Sequence, residues 1–214
     1  MRLAKRLIAA VLATAFAAGT VYGQALPPAA GMAEPKVKPD RRDDGIYHQK
    51  WFHEGFLELK EDYVEAEKAG KRFAVIFEQR GCVYCARMHN DVLALKYIND
   101  YVRENFVIVQ LDLWGAREVT DFDGTKMPEK RIAERWGVLF TPTIVFFKDG
   151  LKDTKGWGQP LEVARMQLGF GPPTFYDMFV WIRAKVYEKD RNFQRFHVAR
   201  SAEREMAKNS SKQP

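Results

Sequence analysis

An unbroken apolar run, Phe73-Ala74-Val75-Ile76-Phe77, ends three residues short of Gly81-Cys82-Val83-Tyr84-Cys85. A short run of that kind predicts a strand buried on both faces, and Gly81-Cys82 then opens a helix. Cys82 falls at the helix N-terminus, where free N–H groups and the macrodipole favour negative charge. Such placements bring a thiol pKa from ~8.5 down into the range ~3.5–7.5. Cys85 lies almost one turn further along the same face and points inward. This order gives Cys82 the attacking role and Cys85 the resolving role in thiol chemistry.

Cys82 and Cys85 are the only cysteines among 214 residues. A bridge across so short a loop removes little entropy from the unfolded chain. Small exported domains held by disulfides carry several widely spaced pairs instead. A structural zinc site needs two further ligands, for which His48, His53, His89 and His197 are the available histidines. His89 shares a helical face with both cysteines, so a Cu(I)-binding module is the alternative from another class. Against it stands His89 as a surface or packing histidine.

Around this centre the chain alternates helical and strand patterns. Phe56, Leu59, Tyr63 and Ala66 recur at helical spacing, with Gly70 as a stop. The helix opened by Cys82 is expected to turn Met88, Val92, Leu95, Ile98 and Val102 inward. Phe106 to Leu113 predicts a second buried strand, Glu129 to Trp136 a short helix, and Thr143 to Phe147 a third strand. Asp149-Gly150 is a hairpin signal, with Lys152 to Trp157 expected to return antiparallel. Trp114 to Pro128 is a polar connection, suited equally to a solvated loop or to partner binding. Phe175 to Met206 is helix-prone and becomes strongly charged after Lys185, as expected of a solvated C-terminal helix. The pattern predicts an α/β domain, with a central sheet and helices on both faces.

Phe77-Glu78-x-x-Gly81-Cys82-Val83-Tyr84-Cys85, the strand from Phe106 and Phe140-Thr141-Pro142-Thr143 together resemble the thioredoxin superfamily over roughly residues 73–187. Val119-Thr120-Asp121-Phe122-Asp123-Gly124 and Gly169-Phe170-Gly171-Pro172-Pro173-x-Phe175 are similar to the periplasmic SoxW-like thioredoxins of bacterial sulfur oxidation. The resemblance implies a thioredoxin fold with a mixed sheet, an extra N-terminal helix and an extended C-terminal helix. It implies a cis Pro142 beside the dithiol, with Thr141, Pro142 and Tyr84 contacting substrate. It implies no organic cofactor beyond the redox-active Cys82–Cys85 disulfide. Electrons would arrive from a membrane dithiol protein of the CcdA/DsbD type, and a sulfur-carrier protein or an apocytochrome would receive them. The sequence departs from thioredoxins proper in lacking Trp-Cys-Gly-Pro-Cys. Ile76 stands where those proteins bury an acidic residue. Glu78 is the neighbouring candidate for proton transfer, set against the plainer reading of a solvated carboxylate at a strand end.

The N-terminus bears on location. Arg2, Lys5 and Arg6 precede an apolar run of about fifteen residues from Leu7 to Val21, then small residues around Gly23. This is the order of a secretory signal, and the run is shorter than the ~20 residues of a membrane span. Residues 1–23 are thus expected to be a cleaved signal peptide, 24–45 a flexible leader, 46–187 the thioredoxin-like domain, and 188–214 a charged helix and tail. Without Arg2, Lys5 and Arg6 the formal charge falls from +6 to about +3, ordinary for a soluble domain and no argument for nucleic acid. The expectation is a periplasmic protein-disulfide reductase, with an oxidase or isomerase as the nearest rival.

Overall fold

The computed structural model describes residues 36–210. The expected signal peptide, the leader up to residue 35 and the last four residues lie outside them. The central sheet has four strands. β3 (Arg72–Glu78) runs parallel to β4 (Phe106–Asp112), pairing Arg72 with Phe106 and Glu78 with Asp112. β7 (Thr143–Phe147) is antiparallel to β3, and β8 (Glu162–Gln167) is antiparallel to β7. All of β3 and β7 is buried, which is why both read as continuous apolar runs.

The strand period of two sorts these side chains onto two cores. Phe73, Val75, Phe77, Val109, Leu111, Val145 and Phe147 face α1 (Leu59–Lys68) and α4 (Glu129–Arg135). Ala74, Ile76, Ile108, Ile144 and Phe146 face the opposite layer. That layer holds the dithiol helix α2 (Val83–Arg87), α3 (Lys96–Asn105), α6 (Pro172–Arg183) and α7 (Phe193–Ser210). On this second face the sheet turns polar at its last layer, with Glu78 following Ile76 and Gln110 following Ile108.

Several expectations change. The helix opened by Cys82 is not continuous: α2 passes into a π turn, Met88–Val92, and α3 starts afresh after Leu95. Met88, Val92, Ile98 and Val102 are buried as predicted, whereas Leu95 is only half-buried at the N-cap of α3. Phe56 is 96 % exposed, and α1 starts beyond it. Lys152–Trp157 forms no strand. The chain leaves β7 at Asp149-Gly150, passes through the short α5 (Gly158–Leu161), and only then returns as β8.

The polar connection also folds. β5 (Glu118–Thr120) and β6 (Lys126–Pro128) make an antiparallel hairpin. Its Val119 and Phe122 are in the α1/α4 core. Buried Asp121 ties it down, accepting from Trp136 Nε1 at 3.0 Å and the Gly158 N–H at 2.9 Å. Arg135 beside Asp123 holds that carboxyl down at about 2.

The C-terminal region differs as well. α6 starts at Gly171-Pro172, where proline suits a first helical turn. It ends at Ala184, and α7 folds back onto it instead of standing in solvent. Buried Phe196 and Arg200 face inward, and buried Asp177 of α6 accepts from His197 Nδ1 at 2.6 Å and Arg200 Nε at 2.8 Å. Arg204 adds a two-pronged contact at 2.9 Å. Before residue 46, Asp40–Arg41 (β1) pair with Tyr47–His48 (β2), and the Val37 N–H donates to Ala94 O at 2.7 Å. Residues 36–53 thus form a belt across the dithiol-helix layer.

Candidate functional site

The C-terminal ends of β3 and β4 set the position of the site. After Glu78 the chain turns through Gln79, Arg80 and Gly81. Gly81 has φ +75°, a left-handed conformation that glycine adopts without steric cost. The turn delivers Cys82 as the N-cap of α2, where its Sγ accepts from the Cys85 N–H at 3.0 Å. Cys82 is half-buried and Cys85 is 2 % exposed. The two are joined in a disulfide with a Cα–Cα distance of 5.2 Å. One sulfur is therefore open to a partner and carries a backbone donor that favours its charged form when reduced. The other is enclosed behind it.

The loop before β7 closes over this pair. The Thr141–Pro142 peptide is cis, and the Thr141 carbonyl oxygen lies 3.5 Å from Cys82 Sγ. Being disulfide-bonded, that sulfur carries no proton to donate, so the approach is a contact and not a hydrogen bond. Thr141 and Pro142 are themselves buried, but Leu139 and Phe140 just before them are exposed. Leu168 donates its N–H to Pro142 O at 2.8 Å, and the next residue, Gly169, abuts the Tyr84 ring so closely that a Cβ there would meet it at 3.1 Å. Trp114, 71 % exposed, donates to the Gln79 side chain at 2.7 Å. Val83, Tyr84, Trp114, Phe140, Leu168 and Phe170 are exposed apolar side chains on the segments around the pair.

Glu78 corrects the expectation of a solvated carboxylate. It is fully buried, accepting from His89 Nε2 at 2.9 Å and from Gln110 Nε2 at 3.0 Å. His89, also without solvent contact, has its other nitrogen, Nδ1, 3.0 Å from Gln49 Nε2. His89 is therefore a buried histidine with both nitrogens occupied, and it does not join the two sulfurs as a third ligand. Among the described residues no cluster of three or more His, Cys, Asp or Glu side chains is disposed to hold a metal ion. Of the other histidines, His48 lies 3.0 Å from Gln110 Oε1, His53 pairs with Asp62 at 2.9 Å, and His197 belongs to the Asp177 cluster. Burial pushes the Asp62 carboxyl up.

Sequence reasoning missed Gln49, Asn99 and Gln110. Gln110 carried a usable signal, being the one amide inside the apolar run Phe106–Leu113. Gln49 and Asn99 carried none, because Gln49 meets His89 across 40 residues and Asn99 across 50.

Comparison with known proteins agrees with this architecture. The profile of a Thioredoxin-like domain family matches residues 59–160. A thioredoxin-fold protein from Helicobacter pylori superimposes with a TM-score of 0.50 at 18 % identity, covering 67 % of this chain and 98 % of that one. A thioredoxin from Thermus thermophilus gives 0.43 at 22 % identity, over 57 % and 81 % of the two chains. A protein described as DsbH oxidoreductase gives 0.42 at 13 % identity, over 77 % and 95 %. No curated protein sequence matches.

Proposed function

From the premise of a thioredoxin-like fold with a Cys-x-x-Cys at its rim, we propose that this chain is a thiol–disulfide oxidoreductase acting on protein disulfides. The observation that carries the reading is the asymmetry of the pair: Cys82 open at the helix start with a backbone donor on its sulfur, Cys85 enclosed.

In the reductive direction the Cys82 thiolate attacks one sulfur of a substrate disulfide. A Cys82–substrate disulfide forms, and the other substrate sulfur leaves as a thiolate. Cys85, once deprotonated, attacks Cys82 Sγ. The intramolecular disulfide forms, the bond to substrate breaks, and its electron pair leaves on the substrate sulfur. Two electrons have then passed to substrate, and the Cys82–Cys85 disulfide must be reduced by another dithiol. Thr141 and Pro142 line the approach to Cys82, Tyr84 and its neighbours supply apolar contact, and Glu78 takes up the Cys85 proton.

The signal-like N-terminus supports a periplasmic location. A membrane dithiol protein of the CcdA/DsbD type is the electron donor, and a sulfur-carrier protein or apocytochrome of the SoxW-like setting the recipient. Direction depends on potential, and related dithiols span ~−270 to ~−120 mV; equilibration with glutathione buffers separates reductase from oxidase or isomerase.

The mechanism is tested by trapping. Cys85→Ser removes the resolving thiolate, so mixed disulfides should accumulate on non-reducing gels of protein from an exporting bacterium. Cys82→Ser should trap far less, since a buried thiol is a poor nucleophile. Equal trapping by the two variants, or none by Cys85→Ser, sinks the mechanism.

A further inference from the structure

We infer that the belt, through Gln49, is part of the proton machinery of the dithiol: Gln49 and His89 are positioning residues that fix how Glu78 accepts the Cys85 proton. The inference rests on the dithiol-exchange reading above and extends it to a segment that precedes the thioredoxin-like elements.

The chain of donors starts at an indole. Trp51 Nε1–H can only donate, and it lies 3.0 Å from Asn99 Oδ1. With that oxygen accepting, the Asn99 amide nitrogen donates to Leu93 O at 2.9 Å and to Gln49 Oε1 at 3.0 Å. The Gln49 amide is thereby oriented, and its Nε2 donates to His89 Nδ1 at 3.0 Å. His89 is left with its proton on Nε2, directed at Glu78 Oε1 at 2.9 Å and more distantly at Oε2 at 3.2 Å. Every polarity in the chain is set by the donor at its outer end.

A second arm ends on the same oxygen. Gln110 Nε2 donates to Tyr47 O at 2.7 Å and to Glu78 Oε1 at 3.0 Å, while its Oε1 accepts from His48 Nδ1 at 3.0 Å. Glu78 Oε1 therefore takes two donors, and Oε2 has only the long share of the His89 N–H. Oε2 is the acceptor left for an incoming proton. The buried acids elsewhere do not compete: Asp62, Asp121 and Glu129 belong to the α1 and hairpin side, and Asp177 is enclosed by arginines. Cys85 and His89 lie four residues apart on one helical run, both buried, the histidine inside the π turn.

During resolution the Cys85 proton passes to Glu78 Oε2, the Cys85 thiolate attacks Cys82 Sγ, and the substrate sulfur leaves with the electron pair of the broken bond. The titratable and charged groups facing this pair are Asp112, half-buried and paired with Glu78 across β3 and β4, Tyr47, whose ring stacks on His89 at 5.8 Å, His48 behind Gln110, Glu54 at 3.4 Å from the outer nitrogen of His48, and Cys85 itself.

The test is stopped-flow mixing of the reduced full chain with an aromatic disulfide against pH, the first aryl thiolate released reporting attack by Cys82 and the second reporting resolution by Cys85. Gln49→Glu reverses one link, because a carboxylate at 49 accepts from Nδ1 and draws His89 into its doubly protonated form. Gln49→Met removes the link and keeps the volume. Glu78→Gln removes the acceptor. Resolution at pH 7 should slow about tenfold or more in Glu78→Gln, on the scale of lost general-base help, and about threefold or more in both Gln49 variants. The slope against pH should change in all three, with thermal unfolding run in parallel. If wild type resolves but both folded Gln49 variants keep its pH profile, the inference is overturned while dithiol exchange stands. If Glu78→Gln alone changes it, Gln49 has no positioning role. Failure of wild type to resolve at all overturns the dithiol-exchange reading instead.

Discussion

Glu78 and Asp177 are both carboxylates without solvent contact, and both receive a histidine, yet their remaining partners differ in kind. Around Asp177 stand Arg200 and Arg204 as well as His197. Guanidinium groups stay charged at any pH a folded protein meets, so that carboxylate is permanently compensated, and its effect is to hold α7 on α6. Around Glu78 stand one imidazole and one amide, neither a fixed cation. A buried carboxylate surrounded by fixed positive charge is an anchor. One surrounded by neutral donors has no such fixed compensation, and this one lies at the end of β3, four residues before Cys82. Burial alone does not distinguish the two; the chemistry of the donors does.

Removing an anchor should cost most. Asp177→Ala leaves two buried or half-buried guanidinium groups uncompensated, and loss of one partner from such a cluster costs about 3–5 kcal/mol. Urea unfolding should show this drop, while the equilibrium constant with glutathione stays within about twofold of wild type. A tenfold change there, or unaltered stability, breaks the contrast.

Glu78→Gln should behave oppositely. It keeps the volume and an acceptor for His89, so about 1–2 kcal/mol of stability is at stake. A loss in urea unfolding as large as that of Asp177→Ala would make Glu78 a second anchor.

Asp123 sharpens the comparison from the surface. Arg135 depresses its carboxyl to about 2, so its stabilisation is complete above the unfolded value near ~3.9. It is lost as pH falls from about 4 through 2. Asp123→Asn should remove about 1 kcal/mol or less above pH 4 and flatten the acid limb of stability below it, measured by unfolding between pH 2 and 6.

β3 and β7 were legible in the sequence because each carries an unbroken apolar run, and β4 because Gln110 is the one polar residue between Phe106 and Leu111. β8 was not: Glu162-Val163-Ala164-Arg165-Met166-Gln167 sits at the sheet edge, only Met166 is buried, and its mixture of residues mimics a loop. The hairpin signal at Asp149-Gly150 was sound as a turn and misleading about the segment after it, which winds through α5 before pairing. The break after the dithiol helix leaves no mark in the sequence, because Met88, Val92, Ile98 and Val102 are apolar whether or not the helix is interrupted. Cys82 and Cys85 were legible from spacing alone. Glu78 looked solvated because its neighbours Gln79 and Arg80 are polar, while the groups that bury it come from distant segments. The anchoring of α7 did leave a trace: His197, Arg200 and Arg204 fall on one helical face, an arrangement ordinary solvation does not require.

The belt bears on how the molecule can be divided. A chain trimmed to begin at α1 would retain the dithiol, the cis-proline loop and the whole central sheet. It would also open a trough over His89 where Gln49 and Phe52 now lie, and would strip His48 and the Tyr47 carbonyl from Gln110. Grafted into another protein, such a fragment would carry the Cys82–Cys85 disulfide without the side chains that now bond His89 and Gln110. The transplantable unit starts no later than β1, and the forty-odd residues between there and the first cysteine travel with it.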